Sequence, residues 1–468
     1  METDLPLVIG RMLLMRLVTG LAILSFFRTD RIAIADQKFS QSGPRERFQD
    51  AFNKTCGKYP FVSEYVANLE APSQRFMVYL FDEAGVDNGG LGDKLAGMIS
   101  AVAFAMRTGR TLLIFADKAF EDAFQPYHPN NGGRYTWGNR SWSGWQEKYS
   151  RGSNTTHLHQ CVNPRPSQTV CCLDKDLPQN VVRYRSNRAY LCRWVVKLNL
   201  YATSNLKRLG INKDTDLYEV SGCMLRLVMW PTERLWKALD KSLDSTFSSR
   251  SSPTSYQVGF HFRCGDKSFT KGAMNSLGVV KHNPECYFDP KVPWKGTNFL
   301  DDQSLDSPVD HAVCGKKILA TLSPEIQSNA MVYIASDNSD SAQQINTTIN
   351  WPFVVLPPKV CHVGHDRSLD CTLMTLLHWF MLSLSDKIIM QGLVVAPGSW
   401  SEDSTPEDGS SKQGAQQGSI SAFSRFAAIY GLNIDNSFYG LSCSHGNRTF
   451  LSRQTQGNWL CDPKRGIY

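Results

Sequence analysis

The sequence lacks features that would assign it to a narrow class. It has no dense basic tract and no C-x-x-C pair; the first absence argues against a nucleic-acid-binding tail and the second against the usual zinc ribbons. Charged residues make up only 20% and hydrophobic residues 42%, a balance that excludes disordered, collagen-like and multi-span membrane chains. At 468 residues the chain is long enough for two globular domains.

The net charge is mildly positive. Fifty Lys and Arg residues against 43 Asp and Glu residues give +7, and the excess is spread along the chain. Such a surplus suits a small anionic ligand better than a duplex. The basic stretch from Arg183 to Arg193, with Tyr184 and Tyr190, keeps a nucleic-acid reading open as a weaker alternative.

The N-terminus carries a signal for secretory entry. Residues 17–27 are apolar and lie between Arg16 and Arg28, and Ala33-Ile34-Ala35 offers a small-residue cleavage site. We predict that residues 1–35 form a signal peptide or a single type II membrane anchor. The expected location is the lumen of the Golgi or the endoplasmic reticulum.

The cysteines and the N-glycosylation sequons agree with a location in the secretory lumen. Thirteen cysteines are scattered along the chain, and in an oxidising lumen most would form disulfides and leave one odd thiol. Five N-x-S/T sequons give weaker support.

The apolar pattern predicts an α/β fold. Phe76 to Phe81 reads as a buried strand, a glycine-rich loop and an amphipathic helix follow, and Thr111 to Ala116 reads as a second strand. The second half repeats this alternation. We therefore predict two doubly wound Rossmann-type domains, at residues 36–240 and 241–468. The polar stretch from Asp240 to Ser255 would connect them, and residues 398–420 would form a mobile insertion.

The first candidate site is the loop GGLGDKL, from Gly89 to Leu95. Gly90 and Gly92 would let the backbone approach a ligand, and the helix that follows offers free N–H groups. Asp93 is either an N-cap or a carboxylate presented to substrate.

The second candidate is HFRCGDK, from His261 to Lys267, which follows the predicted strand YQVGFHF. Open α/β sheets bind ligands at the carboxyl ends of their strands. Arg263 suits a phosphate because its guanidinium binds in a bidentate manner, and Asp266 could orient it or accept a sugar hydroxyl. A structural Arg263–Asp266 pair remains the alternative.

Two further candidates follow in the second half. Asp337 comes directly after the predicted strand MVYIA, where it could accept from a base such as guanine or cap the next helix. The segment SAFSR opens a helix whose hydroxyl and N–H groups suit a second phosphate contact. Its candidate ligands are Ser421, Ala422, Phe423 and Ser424.

Taken in order, these motifs resemble the fucosyltransferase superfamily. GGLGDKL, HFRCGDK, YIASDN and SAFSRFAA occur between roughly residues 75 and 432, and they are similar to motifs of α1,6-fucosyltransferases and protein O-fucosyltransferases. The resemblance implies a GT-B-like fold, with two Rossmann-type domains facing a cleft. It also implies GDP-fucose as the donor, held mainly by the C-terminal domain, with no metal or other cofactor and with inversion at the anomeric carbon.

The resemblance also implies individual roles. Arg263 matches the arginine that neutralises the donor pyrophosphate, with His261 and Asp266 as its companions. Asp337 matches the acidic residue that helps hold guanine, and Ser421, Phe423 and Ser424 match phosphate contacts.

Two departures leave the general base open. Cys264 stands where several relatives have a second basic residue, and Lys271 stands where the core α1,6 enzymes have a glutamate. Asp93 is our candidate for the base, because it stands where some protein O-fucosyltransferases place a glycine-loop glutamate.

The predicted function is transfer of fucose from GDP-fucose to a glycan or glycoprotein hydroxyl. Nucleic acid is not an expected partner, and the acceptor, the linkage and the oligomeric state stay open. One alternative is a catalytically silent GDP-sugar- or glycan-binding relative. The other is a metal-dependent glycosyltransferase that uses Asp174-Lys175-Asp176 or Asp214-Thr215-Asp216.

Overall fold

The computed structural model describes most of the α/β framework. The described residues are 43–73, 75–81, 91–130, 137, 155–160, 178, 180–185, 191, 206–212, 214–247, 256–262, 308–356, 368–391, 422–433 and 437–440.

Eleven helices and eleven strands lie within these residues. In chain order the helices are α1 Pro44–Cys56, α2 Pro60–Glu70, α3 Leu91–Thr108, α4 Lys118–Ala123, α5 Leu217–Val228, α6 Glu233–Phe247, α7 Pro308–Leu319, α8 Pro324–Asn329, α9 Ser339–Ile349, α10 Leu369–Ser383 and α11 Ala422–Gly431. The strands are β1 Phe76–Leu80, β2 Thr111–Phe115, β3 Phe124–Gln125, β4 Thr155–Gln160, β5 Val181–Arg185, β6 Trp230–Pro231, β7 Gln257–Phe262, β8 Met331–Ser336, β9 Val354–Val355, β10 Lys387–Gln391 and β11 Ser437–Gly440.

The first sheet is parallel and has the order β2-β1-β5-β4. Strands β1 and β2 pair with Phe76 opposite Thr111, and helix α3 connects them. The predicted strand–loop–helix–strand unit is therefore confirmed. All five residues of β1 are buried, as expected for a strand covered on both faces.

The second sheet is also parallel and has the order β11-β10-β7-β8-β9. Side chains alternate between its faces. Val258, Phe260 and Phe262 of β7 pack with residues of α7 and α9. Tyr333 and Ala335 of β8 instead face the cluster that contains α10 and α11.

That second cluster is the largest apolar core of the described residues. It joins α1, α3 and α5 from the first half of the chain to α10 and α11 from the second half. The described residues from Pro44 onward belong to one compact unit. The boundary between residues 240 and 241 stays a prediction.

The predicted connecting segment is partly wrong. Residues 240–247 continue helix α6 instead of forming a polar linker. The reason is the helical spacing of Leu235, Trp236, Leu239 and Leu243, which bury one face of α6 while its polar residues face solvent. A serine-rich composition does not prevent a helix when one face is apolar.

A disulfide joins Cys56 at the end of α1 to Cys223 in α5. Cys314 is also disulfide-bonded, and Cys371 is buried. These observations agree with the predicted disulfides for the cysteines that are described. The predicted signal or anchor at residues 1–35 and the insertion at 398–420 lie outside the described residues. None of the helices described is long and apolar enough to cross a membrane.

Candidate functional site

The strand order of the second sheet indicates where a ligand would be expected to bind. Chain order runs from β7 outward through β8 to β9 on one side and continues with β10 and β11 on the other. The order therefore reverses between β7 and β10, and open α/β sheets bind ligands outside the carboxyl ends of the strands at such a switch point. The motif HFRCGDK begins on the last two residues of β7, His261 and Phe262.

The first sheet is arranged differently: the chain runs from β1 outward to β2, and β4 at the far edge is followed by β5, which lies beside β1. The segment that carries the glycine motif follows β1. Both candidate motifs thus follow an interior strand of a parallel sheet, which their positions in the sequence alone could not establish.

His261 is the best-defined candidate at the second sheet. It is 5% exposed and lies opposite Met390 of β10 on one side and Ala335 of β8 on the other. Its ring stacks on the ring of Phe423 in α11, with centroids 5.1 Å apart and planes inclined by 22°. The structure therefore brings together two predicted ligands that are far apart in sequence.

Helix α11 carries the predicted phosphate contacts. It begins at Ala422, and the side chain of Ser424 in its first turn is fully buried. Trp379 of α10 donates from Nε1 to the carbonyl oxygen of Phe423 at 3.2 Å. Arg425, also in this turn, is mostly buried as well.

Asp337 lies directly after β8, whose last residue, Ser336, pairs with Phe262 of β7. The capping role that its position suggested is wrong, because Asn338 is the N-cap of α9 and its Oδ1 accepts from the amide of Ser341 at 2.9 Å. Asn338 is equally suited to capping, so composition could not decide between the two residues.

The described part of the glycine motif opens helix α3. Gly92 is buried in the first turn, and Asp93 lies in that turn as well. The backbone carbonyl of Lys94 accepts from the Tyr79 hydroxyl at 2.5 Å, and its ammonium lies 4.9 Å from the centroid of the Phe81 ring. Strand β1 and the start of α3 are thus joined where the motif predicts a ligand.

Burial keeps the core beneath the second site neutral. The rings of Tyr333 in β8 and His378 in α10 lie 6.4 Å apart. Burial lowers the pKa of His378 to about 4 and raises the pKa of Tyr333 far above its usual value. Neither side chain brings charge to the sheet face near neutral pH.

The other predicted ligands lie outside the described residues. They are Gly90, Arg263, Asp266 and Ser421.

The structure argues against three weaker hypotheses from the sequence. The aromatic residues of the segment WGNRSWSGW suit stacking on acceptor sugars, but Trp137, its first residue, is fully buried and donates from Nε1 to the Val228 carbonyl at 2.9 Å. Asp216, considered as a metal ligand, is the N-cap of α5. The basic stretch begins within β5, where Tyr184 is fully buried, so that part does not form a nucleic-acid surface. No described group of three or more His, Cys, Asp or Glu residues could hold a metal ion.

Arg226, which lies outside every motif of the sequence, holds α11 in place. Arg226 of α5 is buried and donates from Nε to the Tyr430 carbonyl at 2.6 Å and from Nη1 to the Phe48 carbonyl at 2.9 Å. Burial lowers its pKa to about 9. Its guanidinium lies 4.0 Å from the centroid of the Phe48 ring. A charged residue within an otherwise apolar helix pattern was the signal that could have identified it.

No family model matches the sequence, and no curated protein matches it. Several solved structures are similar. A NodZ α-1,6-fucosyltransferase soaked with GDP-fucose has 15% identity and a TM-score of 0.38, covering 81% of this chain and 99% of its own. NodZ from Bradyrhizobium has 14% identity and a TM-score of 0.36, with the same coverage. A variant of Arabidopsis thaliana FUT1 in complex with GDP has 13% identity and a TM-score of 0.39, covering 84% of this chain and 78% of its own.

The two NodZ proteins are fucosyltransferases, the class that the sequence motifs resemble.

Proposed function

We propose that this protein transfers fucose from GDP-fucose to a hydroxyl group of a glycan or glycoprotein, with inversion at the anomeric carbon and without a metal ion. We further propose a GT-B-like arrangement in which residues 36–240 form the acceptor side and residues 241–468 bind the donor. The reaction would take place in the lumen of the secretory pathway, and the disulfide between Cys56 and Cys223 supports an oxidising compartment.

The observation that carries the proposal is the stack of His261 on Phe423 at the switch point of the second sheet. It joins the strand-end motif HFRCGDK to the helix-opening motif SAFSR. A strand end and a helix N-terminus at one crevice form the usual site for a nucleotide phosphate in an open α/β sheet. The ordered set of motifs adds the resemblance to GDP-fucose enzymes.

The chemistry would be a single displacement. The bond between fucose C1 and the GDP oxygen breaks while the acceptor oxygen bonds to C1. Negative charge grows on the leaving diphosphate, and Arg263 together with the N–H groups of the first turn of α11 would stabilise it. The acceptor hydroxyl would lose its proton to Asp93. Asp337 would accept from the guanine.

The test compares GDP binding by calorimetry in wild type, Arg263→Ala and Arg234→Ala. The last variant is a matched control, since it loses the same charge from a side chain 59% exposed on α6, where it contacts Asp122. We expect Arg263→Ala to lose at least about 2 kcal/mol of binding free energy, because it leaves diphosphate charge unpaired. The control should bind as wild type does.

Transfer assays distinguish the proposed enzyme from two alternatives, a metal-dependent glycosyltransferase and a binding protein without catalytic activity. Fucose transfer that survives EDTA supports the proposed enzyme, and loss of transfer on metal removal favours the metal-dependent alternative. Tight GDP binding without transfer or donor hydrolysis favours a binding protein. Wild-type protein that does not bind GDP contradicts the proposal altogether.

A further inference from the structure

The first turn of α11 must be held accurately if its N–H groups bind a diphosphate. A misplacement of about 1 Å can cost a large factor when binding groups must meet a fixed geometry. The turn begins at Ala422 and contains Phe423 and Ser424. What fixes the turn therefore matters to any ligand it holds.

Trp379 makes a specific contact with this turn. Its Nε1 donates to the Phe423 carbonyl at 3.2 Å. That carbonyl lies at the start of the helix, where it also faces the amide four residues further on, and a carbonyl oxygen has two lone pairs to accept both donors. The indole thus contacts the turn without replacing a helical hydrogen bond.

The indole itself has little freedom to move. Trp379 is fully buried, and its ring lies 4.8 Å from that of Tyr430 and 6.3 Å from that of Phe124, measured between centroids. Tyr430 belongs to the last turns of α11. Trp379 therefore contacts both ends of the helix from one position on α10.

The contact extends to the second sheet through Phe423. Its ring stacks on His261, the penultimate residue of the central strand of that sheet. The three residues form a continuous chain from Trp379 through Phe423 to His261. A displaced first turn would disturb both the helix N-terminus and the strand-end motif.

We propose that Trp379 is a positioning residue for the diphosphate of the donor, acting through the Phe423 carbonyl and the first turn of α11. This inference rests on the proposed function, since it concerns the same nucleotide site. Trp379 is fully buried and acts only through the turn. Its effect should therefore fall on the phosphates and spare the nucleoside.

The experiment replaces one indole N–H at a time. Trp379→Phe keeps an aromatic ring and removes the donor to Phe423. Trp351→Phe is the matched control, because Trp351 donates from Nε1 to the Ala330 carbonyl at 2.9 Å and packs against the opposite face of the second sheet. GDP and guanosine binding are measured for both variants and wild type, with thermal unfolding in parallel.

We expect Trp379→Phe to weaken GDP binding about five- to tenfold, the effect of one hydrogen bond, and to change guanosine binding less than about twofold. Trp351→Phe should bind both ligands as wild type does, even where it lowers thermal stability. GDP affinity unchanged in folded Trp379→Phe overturns the inference. Equal losses for GDP and guanosine also overturn it, because they indicate a general structural effect.

The outcome for the proposed function is separate. If wild type does not bind GDP, the proposed function fails; if wild type binds it and Trp379→Phe binds equally well, only the inference fails. Should Trp379→Phe not fold, incorporation of 3-benzothienylalanine at position 379 replaces the indole N–H by sulfur, so that it keeps the bicyclic ring and removes only the donor to the Phe423 carbonyl. Full GDP affinity in that folded variant then overturns the inference.

Discussion

At the scale of single residues, burial determines the charge states inside this protein. His378 packs beneath the candidate site, and His311 is enclosed by the rings of Phe260 and Phe262, with centroids 5.8 and 5.6 Å away. Burial lowers the pKa of His378 to about 4 and that of His311 to about 3. Both residues therefore stay neutral in the folded chain at pH values where exposed imidazoles are protonated.

This difference predicts a loss of stability in acid. The unfolded chain binds protons at these histidines below about pH 6.5, whereas folded His378 stays neutral down to about pH 4. The free energy of unfolding should therefore decrease as the pH is lowered from about 6.5 to about 4, by about 1.4 kcal/mol per pH unit for each such histidine. Above about pH 6.5 both histidines are neutral in the folded and in the unfolded chain, so their lowered pKa values no longer reduce the free energy of unfolding.

His378→Phe tests this prediction, because it removes one titrating group and keeps a ring. Urea unfolding between pH 4 and pH 6.5 should show a slope smaller by about one proton than in wild type. Trp379→Phe, the neighbouring substitution without a titratable group, should leave the slope unchanged. A His378→Phe slope equal to that of wild type would contradict the assigned burial effect.

At the scale of elements, helix α11 is held by close backbone approach. A Cβ added at Gly431 would clash with the Ser383 carbonyl oxygen of α10. A Cβ added at Gly222 of α5 would clash with the Ile429 carbonyl oxygen of α11. Glycine at these two positions lets three helices approach more closely than larger residues would allow. The position of α11, and of the phosphate contacts predicted on it, depends on this packing.

Gly431→Ala should therefore destabilise the protein. The added methyl group meets a backbone atom that cannot move away as a flexible side chain could, so we expect a loss of about 1–3 kcal/mol in the free energy of unfolding. Gly43→Ala is the control, because its Cβ would meet nothing within 4 Å. Chemical denaturation of both variants measures the difference. Equal stabilities would show that α11 has room to shift.

The motifs and the helix boundaries were predictable to different degrees. The strand at Phe76, the helix after the glycine loop and the helix at Ala422 follow from short-range apolar periodicity, and the structure confirms them. The extension of α6 to Phe247 does not follow from the serine-rich composition of residues 240–247, whereas the helical spacing of Trp236, Leu239 and Leu243 favours it. The local apolar pattern predicts a helix or a strand correctly only where tertiary contacts also bury the apolar residues.

At the scale of the whole molecule, helix α1 joins the two halves of the chain. The Phe48 ring lies 5.9 Å from that of Trp236 and 5.9 Å from that of Phe380, measured between centroids. Arg47 forms an ion pair at 3.1 Å with Asp386, whose other contacts include the Gln257 amide of β7. The disulfide from Cys56 ties the end of the same helix to α5.

Removing that disulfide should lower global stability. The Cys56–Cys223 bond closes a loop across a sequence separation of 167 residues, so Cys56→Ala with Cys223→Ala should cost about 3–5 kcal/mol under non-reducing conditions. Cys371→Ala, which removes a buried sulfur without breaking a disulfide, should cost about 1 kcal/mol. Denaturant unfolding compares the variants, and a double variant no less stable than the control would contradict the role given to this bond.

The sequence by itself determined the class of fold, the presence of two motifs directly after predicted strands and the kind of ligand that Arg263 suits, because side-chain chemistry and short-range periodicity are local properties. Tertiary structure alone decided that His261 meets Phe423, that Asn338 rather than Asp337 caps α9, and that Trp379 and Arg226 hold α11. Those contacts join residues distant in the chain. Their geometry depends on how both sheets and their helices pack, and no local pattern encodes that packing.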